Sequence, residues 1–517
     1  MPFSSRMSAA PASSPRLRSW RRAVGFGLAA LWITTACWET NKPLPPGMSI
    51  ESPPYAVPAT DVSFIADITA ADAYGRRISS QAIFDEVLRV VRSAREFLVL
   101  DYFLFDSEPI QLGTTPSRLR PIAAELRDAL IEQRRTVPGL KVLFITDPVN
   151  QLYGPSPSDE LRLLSGAGVD VVVTDLDRLR DPNFVYSSLW RLTAGWWSTG
   201  SSAPGWLPDP RDEGTSTVTF GTWTRLLNFK ANQRKVVIGD DGRGALVGVV
   251  ASANPHDASS AQSNVAAKVS GPGLRFLLES ELAVARFSGW NGEIPLARAQ
   301  SANPETLAST DPDIASGQSA RVQFLTEGAI RGAILEHIDA ATKGESVDIA
   351  MFYLADRGVV ESLLAAGRRG VNVRVMLDPN RDAFGHTRSG LPNQPVATEL
   401  VAASDGAIHV RWYRTHGEQF HTKLIMVYGR ERLWLTLGSA DLTRRALDDY
   451  NLEANVAIEV ARSSQLALQT LDYFEALWSN RASVGIEYTA DFANDADPSQ
   501  AHYWLYRFLE GTGMADF

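Results

Sequence analysis

Five short stretches occur twice in this chain, in the same order both times, and that duplication limits the possible folds more than any other feature. Phe97–Asp106 matches Val347–Asp356, and Gly139–Pro148 matches Gly370–Pro379. Gln233–Asp240 matches His421–Tyr428, Ser252-Ala-Asn254 matches Ser439-Ala-Asp441, and Asn264-Val-Ala matches Asn455-Val-Ala. A repeated order of this kind signals a duplicated structural unit. Length alone would suggest roughly three domains at about 150 residues each. The repeat favours a different division, two similar halves sharing one interface.

The stretch from Phe420 to Asp441 carries the chemistry. Lys423–Val427 is a short apolar run ending at Gly429, and Leu433–Leu437 is a second run ending at Gly438-Ser439. Both read as buried strands. Side chains alternate along a strand, so His421 and Lys423 emerge on one side. Adjacent strands then bring an imidazole, an ammonium and a hydroxyl to one end of a sheet. That trio suits a phosphoryl group: the imidazole attacks or shuttles protons, the lysine neutralises oxygens, and the serine donates a hydrogen bond. A lone His-x-Lys is also what a satisfied pair at a strand end looks like. The second copy separates the two readings.

With both copies in view, the sequence resembles the phospholipase D superfamily. The signature of that family is His-x-Lys, four residues, Asp, then Gly-Ser-x-Asn, once per half. The resemblance covers most of Val62–Tyr488. The second copy carries His421, Lys423, Gly438 and Ser439, and the first carries Lys235, Asp240, Ser252 and Asn254. The resemblance implies two α/β/α sandwich halves related by a pseudo-twofold axis, with one shared active site and neither metal nor cofactor. One histidine of the family forms a phosphohistidine, and the other protonates the leaving alcohol.

Three positions depart from the pattern. Gln233 replaces the first histidine, Tyr428 the second aspartate, and Asp441 the second asparagine. Gln233 matters most, because an amide is neither a nucleophile nor a general acid near neutral pH. By this correspondence His421 attacks phosphorus, and Lys235 and Lys423 neutralise its oxygens. Ser252, Asn254, Ser439 and Asp441 bind the phosphoryl group. His256 and His416 are candidate replacements for the missing proton donor.

The N-terminus reads as a targeting segment over residues 1–37. Arg16, Arg18, Arg21 and Arg22 precede the apolar stretch Ala23–Ala36, which is short for a transmembrane helix and ends at Cys37, the sole cysteine. Thr34-Thr35-Ala36-Cys37 resembles a bacterial lipobox, which implies export and lipidation at Cys37. An ordinary cleaved signal with an incidental cysteine is the alternative. Residues 38–61, rich in Pro, Ser and Thr, read as an extended tether.

The first half then spans 62–291, a linker 292–319, the second half 320–488 and a tail helix 489–517. Strands expected at Phe97–Phe105, Leu140–Thr146 and Val169–Thr174 alternate with helices, one capped by Ser79-Ser80 and one at Ile122–Gln133. The second half repeats the plan, with helices at Ala329–Thr342 and Val359–Arg368 and strands at Val347–Tyr353 and Val371–Leu377. An insertion at 184–223 holds Trp190, Trp196, Trp197, Trp206 and Trp223. Aromatics on an irregular loop suit a membrane contact or a lid, or a loop packed on its own domain. Arg444 and Arg445 are a candidate phosphate fork. Glu453 is placed to orient a site residue or to form a structural ion pair.

The composition, 44% hydrophobic and 21% charged with a net charge of -9, is that of a globular protein without a general attraction for nucleic acid. The expectation is a phospholipase D-type phosphodiesterase or phosphatidyltransferase acting on phospholipid at a membrane. A non-catalytic phospholipid- or phosphate-binding protein is the alternative, and a nuclease is disfavoured by the acidic balance and the export segment.

Overall fold

The computed structural model describes residues 15–107, 119–151, 158–196, 205–208, 217–295, 314–383, 386–481, 483, 485–515 and 517. Two large mixed sheets dominate it. In the first half the strand order is Arg77–Ser80, Val62–Ala71, Asn264–Ser270, Leu246–Ala251, Lys235–Asp240, Phe97–Tyr102, Lys141–Thr146, Asp170–Val173. In the second it is Tyr55–Pro58, Ser319–Thr326, Ala454–Ala461, Arg432–Gly438, Lys423–Tyr428, Ser346–Met351, Asn372–Leu377, Ile408–Tyr413, Thr489–Asp491. Apart from the edge strands the orders coincide, so the sequence repeat is a structural repeat.

The central strands are buried on both faces, which accounts for their continuous apolar runs. Helices Ile83–Ser93 and Ile122–Thr136 cover the outer face of the first sheet. Gly328–Ala340, Arg357–Arg368 and Asn393–Ala403 cover that of the second. Between the sheets lies one continuous apolar layer drawn from both halves, including Val250, Val265, Leu424, Leu437 and Val456. Helix Leu274–Phe287 also contacts strand Ser319–Thr326, and helix Gln465–Trp478 contacts strand Val62–Ala71, so each half covers part of the other. The arrangement is the expected pair of α/β/α halves around a shared interface.

A buried ion cluster closes that interface. Arg234 is 0% exposed and bonds Glu327 of the second half at 2.7 Å and Glu281 at 3.2 Å. A guanidinium so far from water is held charged by those carboxylates.

Several local expectations need correction. Residues 38–61 do not form a free tether: Met48 is buried, and Tyr55–Pro58 pairs antiparallel with Ser319–Thr326 as the edge strand of the second sheet. Ser79-Ser80 lies in a strand, and helix Ile83–Ser93 is capped instead by Asp67, whose Oδ1 accepts from the Ala82 and Ile83 amides. The first strand stops at Tyr102 rather than Phe105.

The N-terminal helix Pro15–Asn41 packs on helix Phe184–Leu192 of the insertion. Its end is fixed there: the Glu39 carbonyl accepts from Asp181 N–H, and the Glu39 carboxylate meets Arg191 at 3.2 Å. Among the described residues no helix is long and apolar enough to cross a membrane. In the insertion Trp190 is buried, Trp223 donates its Nε1–H to the Pro208 carbonyl, and Trp206 is 74% exposed. Trp197 and the Trp196 side chain lie outside the described residues, as does most of the linker 292–319.

Candidate active site

The site is built where loops from the two halves cross. Asn232 forms a parallel bridge with Leu452, and Ser263 forms its twofold counterpart with Phe420. Gln233 and His421 follow those bridges directly. Each loop is held by the buried aspartate of an Asp-Pro pair. Asp147 accepts from Asn232 N–H at 2.7 Å, and Asp378 accepts from Phe420 N–H at 2.7 Å. Burial pushes both carboxyls up to about 7.

Strand pairing fixes the register of the repeat. Tyr102 pairs with Lys235, and Met351 pairs with Lys423. Phe97–Asp106 and Val347–Asp356 are therefore equivalent one position out of the sequence match. The match of Asn264 with Asn455 is two positions out. Ser252 Oγ accepts from Val265 N–H and Ser439 Oγ accepts from Ala454 N–H, each at 3.0 Å, so the counterpart of Asn264 is Glu453.

His421 reaches across the interface. Its Nδ1 lies 3.0 Å from Asn264 Oδ1, and Ser252 Oγ lies 3.0 Å from the same oxygen. Because Ser252 already accepts a backbone hydrogen, its own hydrogen points at Asn264 Oδ1, which is thus the acceptor for both groups. The imidazole then carries its proton on Nδ1, and Nε2 is the unprotonated nitrogen. Burial, then the charges of Lys423 and Lys235, holds the His421 pKa well below the usual range, so the ring is neutral.

A cleft lined by His421, Gln233, Asn254, Asp441 and Glu453 opens between the halves. Lys235 and Lys423 are buried and stand behind its lining. Lys235 Nζ lies 2.6 Å from the Gln233 carbonyl and 3.4 Å from its side-chain oxygen. Lys423 Nζ lies 3.3 Å from Asp441 Oδ1. The ammoniums sit over Phe103 and Phe352 respectively, a further twofold pair. Burial lowers both, Lys235 to about 8. It raises Asp441 against the pull of the two lysines.

Other expected site residues lie elsewhere. Ser252 and Ser439 are buried and do not line the cleft, and their hydroxyls are used on Asn264 and Glu453. They brace the groups that face it. Asp240 stands at the far end of its strand and accepts from the amides of Arg95, Glu96, Phe97 and Gly242. Tyr428, its counterpart, donates to Asp348 at 2.9 Å. His256 and His416 are not among the cleft residues, nor is Arg444, which bonds Tyr450. Arg445 does line the cleft, as does Arg388, which the sequence reading did not single out. Asn264 was also overlooked as a site residue. Its signal was present, a polar residue at the head of a repeated strand, but the register slip concealed its partner. Among the described residues no group of three or more His, Cys, Asp or Glu is arranged to hold a metal ion.

Residues 334–478 match a family described as cardiolipin synthase, PLD-like domain. Among solved structures the chain is similar to phosphatidylserine synthase from Haemophilus influenzae Rd KW20, with 11% identity and a TM-score of 0.52, covering 90% of this chain and 96% of that one. That likeness extends the fold over both halves. A weaker likeness, with a TM-score of 0.40 and 13% identity, is to polyphosphate kinase from Porphyromonas gingivalis, over 88% of this chain and 53% of that one. Nuc from Salmonella typhimurium, a phospholipase D family member, has 21% identity and a TM-score of 0.25, over 33% of this chain and 97% of that one. No curated protein matches the chain by sequence.

Proposed function

We propose, from the premise that this chain belongs to the phospholipase D superfamily, that it transfers or hydrolyses a phosphodiester of a phospholipid through a phosphohistidine at His421. One observation carries the reading. A neutral imidazole from one half is anchored to an asparagine of the other at 3.0 Å through Nδ1, which leaves Nε2 as the unprotonated, nucleophilic nitrogen. Nucleophilic catalysis needs such a lone pair held in place. Lys235 and Lys423, one from each half, supply positive charge behind the lining, where low polarity strengthens their effect on developing phosphoryl charge. Asn254 and Asp441, a twofold pair at the cleft, complete the phosphoryl surroundings.

Membrane placement is a further part of this reading. Cys37 is exposed and lies two residues before Glu39, which is ion-paired to Arg191 of the insertion. A lipid on Cys37 would hold the insertion, in which Phe184, Leu189, Trp206 and Phe220 are exposed, near a bilayer. The acidic composition argues against nucleic acid as the substrate.

Gln233 favours a second reading, a protein that binds phospholipid headgroups or phosphate without turnover. One assay separates the two. Purified protein is incubated with mixed phospholipid vesicles and a primary alcohol, with and without chelator. Phosphatidic acid or the transphosphatidylation product, unaffected by chelator and lost in His421→Ala, supports catalysis. Headgroup binding that needs Lys235 and Lys423, with no product, supports the second reading.

A further inference from the structure

A phosphodiester cleavage must put a proton on the leaving alkoxide, and in the place where the family keeps that donor this chain has an amide, Gln233. The pseudo-symmetry points to a replacement. Asn264 and Glu453 are equivalent residues, each tied to a serine whose hydroxyl also holds the next backbone amide. Asn264 is used on His421 across the interface. The corresponding place across from Glu453 belongs to Gln233, whose own N–H donates to the Leu452 carbonyl at 2.8 Å. Glu453 is 2% exposed and lines the same cleft as His421 and Gln233. Ser439 fixes Oε2, which leaves Oε1 for a group in the cleft.

We propose that Glu453 is the general acid and base of this site, a role that rests on the phosphohistidine reading above. In the first step His421 Nε2 forms an N–P bond while the bond from phosphorus to the alcohol oxygen breaks. The departing oxygen takes the proton of the Glu453 carboxyl. In the second step water, or an acceptor alcohol, forms a new P–O bond and gives its proton to the Glu453 carboxylate. The N–P bond breaks, and its electron pair returns to His421.

The surroundings suit the cycle. Burial raises Glu453 to about 8, so it carries a proton at neutral pH. Lys235 and Lys423 pull it down and Asp441 pushes it up, so the residue can release and regain a proton within one turnover. An acid kept only to brace Ser439 would have no reason to face the cleft.

The test uses the full chain and two lipids that differ only in leaving group, phosphatidylglycerol and phosphatidyl-p-nitrophenol, in the same mixed micelles. The readout is the first-turnover release of glycerol or p-nitrophenol. Nitrophenolate leaves without a proton, and glycerol does not. Glu453→Gln, which keeps the bond to Ser439, is expected to slow glycerol release a hundredfold or more and nitrophenol release less than tenfold. Glu453→Asp, which keeps an acid, should recover part of the glycerol rate. Equal losses on both lipids, or no loss on either, would overturn the role of Glu453 while leaving His421 as nucleophile. A wild-type protein that forms no adduct at His421 with either lipid would remove the phosphohistidine reading and this role together.

Discussion

His421 and Asn264 belong to opposite halves of the chain, and their side chains meet at 3.0 Å between Nδ1 and Oδ1. On the phosphohistidine reading Asn264 is a positioning residue: it fixes which imidazole nitrogen carries the proton. Asn264→Ala should therefore lower kcat by about 10- to 100-fold with little change in KM. Steady-state kinetics on phospholipid micelles check this. An equal rise in KM instead would mean that Asn264 binds substrate.

The Asp378 carboxyl stands at about 7 because it is buried, against an ordinary value of 3.8. A raised carboxyl stabilises the fold most when protonated. Its contribution is complete below the unfolded value and is lost as pH rises through about 7. Asp378→Asn should flatten a fall in stability between about pH 4 and 7, on the order of a few kcal/mol. Urea unfolding midpoints measured across that range provide the test.

Arg234 joins the halves through Glu327 and Glu281. Arg234→Met would leave two buried carboxylates without a counter-charge, and removing one partner of a buried pair costs about 3–5 kcal/mol. Chemical denaturation should show that loss. A change below about 1 kcal/mol would mean that the cluster adapts by protonation.

Lys235 and Glu453 both stand at about 8. As pH rises through that value the lysine loses its charge and the carboxyl its proton, and both losses reduce turnover. The two groups interact, so the profile should show one alkaline limb near pH 8 that belongs to the pair. Glu453→Gln should shift the limb. A limb unmoved by that change would assign it to Lys235.

The elements and their order were legible in the sequence because buried strands leave continuous apolar runs and a duplication leaves matching punctuation. Lys235, Lys423 and His421 were legible as neighbours at strand ends, because alternate residues of a strand emerge on one side. Partners across the interface were not. Side chains of Asn264 and Glu453 meet their targets through a fold-back of the chain, which no local pattern records. One residue of slippage in a repeat match also exchanges the faces of a strand. The serines misled because a hydroxyl suited to phosphate is equally suited to a backbone amide. Residues 38–61 misled because proline and serine mark edge strands as well as free linkers.

Gln233→His would place an imidazole across from Glu453. In the Glu453→Gln background it should raise phosphatidylglycerol turnover at least about tenfold, by restoring a proton donor. No gain would mean that the Gln233 position is closed to the leaving group.

The most direct measurement is mass spectrometry of the acid-labile phosphoryl adduct trapped during turnover of phosphatidyl-p-nitrophenol. A site shared between the halves predicts an adduct on the His421 peptide that falls sharply in Lys235→Ala, although Lys235 lies in the other half. An adduct on another residue, or one on His421 that forms equally well without Lys235, would contradict the shared site.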